Sequence, residues 1–176
     1  MENSKANSKS TILNYGVLLG ILSVVLGVVM YVTNAYLDPN WVYGTIGFLI
    51  IVVVVVLGIK AFKKQNHNFL SLKEALKIAL GITLIAGIIS VIWQLILMNV
   101  LEPDYMNQVA DIQRDQMTNR FPNMSESQIN DAMAMNAKFT SVWIIAAMAL
   151  IGNLFLGLII GLITGLIMKN KNPQDV

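Results

Sequence analysis

The sequence predicts an all-α membrane protein with four transmembrane helices, both termini in the cytoplasm, and a helical external hairpin between the third and fourth spans. Three observations predict it. The 176 residues are 56% hydrophobic and only 12% charged, where an average soluble domain carries roughly a quarter charged residues. Four windows contain no Asp, Glu, Lys or Arg, and each meets the length of about 20 apolar residues that a spanning helix needs. Lysines and acids gather at opposite ends of those windows. The length fits one membrane domain covering 1–176.

The first span covers about 11–37, in the window between Lys9 and Asp38. Two lysines precede it, as in a signal peptide, but its apolar stretch is too long and no small-residue cleavage pattern follows. It reads as a retained helix. Leu37-Asp38-Pro39-Asn40 then forms a tight polar connection. The second span, about 41–60, contains the run Ile50-Ile51-Val52-Val53-Val54-Val55-Val56-Leu57. Such β-branched residues favour strands in water. In lipid the backbone must satisfy its own hydrogen bonds, so helix is expected. A cytoplasmic loop over 60–77 follows, then a third span over about 76–101.

Residues 102–138 form the only sizeable extramembrane segment, divided at Phe121-Pro122-Asn123. Glu102-Pro103-Asp104 opens its first half, with Pro suited to a first helical turn. Tyr105, Val109, Ile112, Gln116 and Arg120 recur at helical spacing. Ser125-Glu126-Ser127-Gln128 matches a capping box, so a second helix starts near Glu126. No breaker separates it from the fourth span, about 139–168. One helix from Glu126 to Met168 is therefore expected, roughly 64 Å long at 1.5 Å per residue.

Orientation follows from the basic residues near the spans. Lys5 and Lys9, then Lys60, Lys63, Lys64, Lys73 and Lys77, then Lys169 and Lys171 fall on one side. The other side has only Arg114, Arg120 and Lys138, together with most of the acids. The lysine-rich side is read as cytoplasmic. Tyr36, Trp41, Tyr43, Trp93, Tyr105 and Trp143 fall near the opposite span ends, where an interfacial aromatic belt is expected.

Small residues mark where helices approach closely. Gly157, Gly161 and Gly165 form a four-residue repeat in the fourth span, Gly16 and Gly20 mark a face of the first, and Ala79, Thr83 and Gly87 a face of the third. A homodimer through the Gly157 stripe is one reading. Packing inside one bundle is favoured, because three spans carry such faces. No ionisable residue lies deep in a span, which argues against a proton-coupled transporter. Gln94 and Asn153 are the deepest polar residues and are expected to hydrogen-bond to neighbouring helices.

The chain has no cysteine and one histidine, His67. That removes disulfides, thiolate zinc sites and cysteine nucleophiles, and leaves no paired-histidine metal centre. His67 is expected in a solvated loop. Glu74, Glu102, Asp104 and Ser125 are scattered near span ends without a base beside them, so no catalytic residue, metal or cofactor is assigned. Asn123-Met124-Ser125 fits a glycosylation sequon, a chance match if the source is bacterial.

Three stretches carry a resemblance: Phe69-Leu70-Ser71-Leu72-Lys73-Glu74-Ala75-Leu76-Lys77, Asn99-Val100-Leu101-Glu102-Pro103-Asp104-Tyr105, and the glycine-rich last span ending Lys169-Asn170-Lys171. The chain resembles the bacterial inner-membrane proteins grouped as domain of unknown function 4199, over nearly its whole length. The resemblance implies a multi-pass location in the bacterial inner membrane and brings no activity with it. The functional expectation is a non-enzymatic accessory or scaffold protein in the lipid bilayer, presenting 102–138 to an envelope protein partner. The alternative is a small oligomeric transporter or channel for a neutral or lipid-like molecule. A homo-oligomer fits either reading, and nothing points to nucleic acid.

Overall fold

In the computed structural model the described residues are 7–37 and 40–170. Lys5, Asp38, Pro39 and Lys171, used above for topology and the first connection, lie outside them. Six α-helices follow in order: α1 (Ser8–Val32), α2 (Trp41–Gln65), α3 (Leu72–Ile96), α4 (Tyr105–Arg120), α5 (Glu126–Ala137) and α6 (Val142–Met168). Four of these are long and apolar enough to cross a membrane: α1, α2, α6, and α3 with its extension to Leu101. The valine-rich run of α2 is helical throughout.

The elements differ from expectation at their edges. α1 ends at Val32, and Thr33 to Tyr36 form a turn in which Asn34 takes a left-handed φ of 55°. The Thr33 hydroxyl, within reach of Val29 O at 2.8 Å and of the Tyr43 hydroxyl at 3.0 Å, ties that turn to the start of α2. α2 continues to Gln65 and α3 begins at Leu72, so only 66–71 of the expected 60–77 loop lies outside helix.

The single helix expected from Glu126 to Met168 does not form. α5 stops at Ala137 and α6 starts at Val142. The Thr140 hydroxyl donates to Asn136 O at 2.6 Å, and the Ser141 hydroxyl accepts from Ile144 N at 3.3 Å as the cap of α6. Both side chains offer the backbone partners that compete with helix continuation.

Close packing puts α3 at the centre. A Cβ on Gly161 would lie 2.7 Å from the Ala79 methyl, one on Gly165 2.8 Å from that of Ala75, and one on Gly157 would overlap Thr83. These steps give one antiparallel seam between α6 and α3. On the other flank of α3, Gly16 receives Ile85 and Gly20 receives Ile89, while Ile12 of α1 fills the space beside Gly81. Gly58 of α2 receives Ile82 and Tyr15. The Gly157 stripe packs against α3 of the same chain.

Burial is uneven along the bundle. The core comprises Leu19, Val54, Val55, Ile59, Phe62, Leu70, Ala75, Ile78, Ala79, Ile82, Ala86 and Ile160. Most lie in the half of the bundle nearest the lysines, while Leu97, Met98 and Ala146 are buried towards the other end. In α2, no residue before Val54 is buried, and Gly44 has open space where a Cβ would stand.

Candidate functional site

The two ends of the bundle are built differently, and each holds residues singled out above. At the lysine-rich end, His67 and Asn68 both take left-handed backbone angles, φ 51° and 64°, in a tight connection from α2 to α3. Asn tolerates that conformation because its short polar side chain bonds locally. His67 is exposed, as a loop histidine should be.

This connection is clasped by the end of α6. Leu70 and Asn170 exchange two backbone hydrogen bonds, each 2.9 Å, and the Asn170 side chain donates to Asn68 O at 3.0 Å. Lys63 Nζ donates to Met168 O at 2.9 Å, placing a cation on the carbonyl end of α6 where the helix dipole favours it. Leu70 is fully buried. Ser71 and Glu74 form a reciprocal capping box that starts α3. Sequence reasoning missed the clasp, because Leu70 and Asn170 are a hundred positions apart and neither is unusual in composition.

At the opposite end, α3 widens into one π-type turn over Leu97–Leu101, closed by Glu102 N donating to Leu97 O at 2.7 Å. The turn leads to the base of α4. Tyr36 stacks on Tyr105 with centroids 6.0 Å apart, Tyr31 sits 5.6 Å from Tyr36, and the Tyr36 hydroxyl donates to Gln108 Oε1 at 3.5 Å. Gln108 in turn donates to Glu102 at 3.4 Å. Desolvation, and then the nearby Glu102 carboxylate, raise the Tyr36 pKa above its ordinary 10.0, and burial raises that of Tyr105.

Beyond this base, α4 and α5 are held mainly by each other. Residues 121–125 turn the chain back, and the α5 capping box forms between Ser125 and Gln128. Asn136 Nδ2 donates to Gln113 Oε1 at 2.6 Å, Arg114 lies 3.8 Å from Glu126, and Ile129 is the one buried residue of the pair. A cleft of about 620 Å³ opens here, lined by Gln113, Gln116, Met117, Asn119, Arg120, Phe121 and Asn136.

The acids and the serine considered above each have a local partner: Glu74 and Ser125 in capping boxes, Glu102 with Gln108, and Asp104 accepting from Asn107 at 2.6 Å. The structure does not bring them together. Among the described residues, no three His, Asp or Glu side chains group as metal ligands.

Gln94 and Asn153 depart from expectation. Both are half-buried, and Asn153 Nδ2 lies beside Gly87 on the α3–α6 seam, yet neither side chain makes a hydrogen bond among the described residues. Leu150 fills the space beside Gly87 and offers no polar atom beyond the backbone.

Comparison with known proteins gives one match. A family model described as a protein of unknown function (DUF4199) matches residues 14–170. No curated protein and no solved structure matches.

Proposed function

We propose that this chain, which belongs to the DUF4199 family, is a non-enzymatic accessory or scaffold protein of the bacterial inner membrane that presents α4 and α5 to an envelope partner. Its four apolar helices are compatible with a multi-pass membrane protein. The distribution of Lys and Arg supports cytoplasmic termini, which would put the α4–α5 pair on the external side.

The observation that carries this reading is the contrast in attachment. The lysine-rich end is clasped by backbone and side-chain bonds to α6, whereas among the described residues the side-chain hydrogen bonds and ring contacts that tie α4 to the bundle are those of the tyrosine base. Segments that engage partners are drawn from such weakly held regions. Photo-crosslinkers at Val109, Asn119 and Met133 in native membranes, followed by mass spectrometry, test it. One reproducible protein partner supports the reading; crosslinks only to lipid or to the chain itself remove it.

The second reading is a small oligomeric transporter or channel for a neutral or lipid-like molecule. What favours it is that Gln94 and Asn153, half-buried within long apolar helices, make no side-chain hydrogen bond among the described residues and so keep amide donors and acceptors free for a passing molecule. Flux through liposomes that falls on Gln94→Leu or Asn153→Leu would support it. Flux insensitive to both substitutions would exclude these amides as its path.

A further inference from the structure

We propose that the cleft along α4, completed by Asn136 of α5, is a binding site for an acidic saccharide. The inference rests on the reading of α4 and α5 as a segment that engages something outside the bilayer, and it names the chemistry engaged. Gln113, Gln116, Met117, Arg120 and Phe121 recur at the spacing of one helix side. From Gln113 to Phe121 the helix advances about 12 Å at 1.5 Å per residue, the reach of a disaccharide. The cleft volume of about 620 Å³ suits a small ligand.

The walls define the ligand. Their polar groups are four side-chain amides, Gln113, Gln116, Asn119 and Asn136, and one guanidinium, Arg120, with no carboxylate among them. The bond from Asn136 Nδ2 to Gln113 Oε1 orients both amide planes and leaves the second group of each amide available. No hydrogen bond among the described residues engages the side chains of Gln116, Asn119 or Arg120. An amide both donates and accepts, and so does a sugar hydroxyl, so each can meet the other in either sense. Phe121 is 50% exposed and offers a flat apolar face to the C–H side of a ring. Arg120, the only charge in the lining, suits a carboxylate through paired N–H donors.

A peptide fits less well. Both walls are helices whose backbone groups are bonded internally, so an extended peptide finds no strand edge to pair with. A helical peptide docks through a row of apolar anchors, and Met117 and Phe121 are the only apolar side chains in the lining.

Full-length protein in lipid nanodiscs would be titrated with three probes, read by saturation-transfer NMR. The probes are a glucuronate–N-acetylglucosamine disaccharide, neutral chitobiose and tri-alanine. The acidic disaccharide is expected to bind, chitobiose to bind about tenfold more weakly, and tri-alanine not to bind. Arg120→Gln should weaken the acidic disaccharide to the level of chitobiose and leave chitobiose unchanged. Phe121→Ala should weaken both sugars, and an unaltered unfolding temperature for each variant excludes misfolding as the cause.

Three results would overturn the inference: no saccharide binding by the unmodified protein, preferential binding of tri-alanine, or saccharide binding indifferent to both substitutions. A protein crosslinked at Asn119 while neither sugar binds would overturn it and leave the accessory reading standing. Sugar binding without any protein crosslink would uphold it and remove the protein partner.

Discussion

The lysine-rich end and the α4–α5 end use the same local devices with different consequences. Each opens a helix with a Ser capping box, Ser71–Glu74 for α3 and Ser125–Gln128 for α5. At the lysine-rich end that helix then enters a seam of glycines, alanines and threonine, and its connection is bridged to Asn170. At the other end the helix buries Ile129 alone and stops at Ala137. A cap sets where a helix begins, but neighbours decide how firmly it is held, since most helical stability in proteins comes from tertiary packing. Rigidity in this molecule follows the small residues rather than the caps.

The largest effect that would break this comparison is steric. In Gly161→Leu the new side chain would meet Ala79 and the Ala75 carbonyl oxygen, with no flexible side chain to displace except Leu76. Overpacking of this kind costs about 1–3 kcal/mol or more, and loss of the folded state on heating in detergent is the expected outcome. Gly152 of the same helix has no neighbour within 4 Å of a Cβ. Gly152→Leu should stay within about 0.5 kcal/mol of the parent. Equal loss in both variants would mean that the seam is not what holds α6.

Next in size is the clasp. Leu70 is 0% exposed, and Leu70→Ala should destabilise by about 2–5 kcal/mol, measured by unfolding in a denaturing detergent titration. Lys63→Met removes the donor to the Met168 carbonyl and should cost about 1 kcal/mol. If both are silent, the lysine-rich end is no firmer than the other.

The small-residue stripes were legible in the sequence but their pairing was not: the third-span face read as Ala79, Thr83 and Gly87, whereas Gly157, Gly161 and Gly165 sit opposite Thr83, Ala79 and Ala75. Four-residue spacing of small residues is a local pattern that survives in one dimension. The clasp was not legible, since pairing Leu70 with Asn170 depends on where α6 ends relative to α3, which the chain states only in three dimensions. The break at 138–141 had a visible signal in Thr140-Ser141, whose hydroxyls end one helix and cap the next without any Gly or Pro. Gln94 and Asn153 make no side-chain hydrogen bond among the described residues, and next to Asn153 the seam carries Gly87 and Leu150, which have no polar side-chain atom. The cleft was half legible: Gln116 and Arg120 belong to the helical repeat read from sequence, whereas the contribution of Asn136 needed the fold-back of α5.

A finer separation of the two ends comes from matched cap deletions. Ser71→Ala and Ser125→Ala each remove a side-chain acceptor from a helix start, worth about 1 kcal/mol. For Ser71 the loss should appear in global unfolding, because α3 is the central helix. For Ser125 it should appear only as faster amide exchange within 126–137, with the global transition unmoved. A shift of the global transition in both variants would show that α4 and α5 unfold with the bundle as one unit.

The smallest effect concerns the base that joins α4 to the bundle. Tyr36 and Tyr105 hold their protons more tightly in the fold than the ordinary 10.0, Tyr36 through desolvation and the Glu102 charge, and Tyr105 through burial. A group whose folded pKa is raised contributes stability that is fully present below its unfolded value and is lost as pH rises through the folded one. The base should therefore loosen only above pH 10, seen as faster exchange at Gln108 and its neighbours while the Leu70 amide stays protected. Tyr36→Phe removes the hydroxyl that bonds Gln108 and meets Glu102 and should shrink that alkaline response without abolishing it, leaving the part due to Tyr105. Equal loosening of Leu70 and Gln108 at alkaline pH would mean that ionisation acts on the whole bundle rather than on this base.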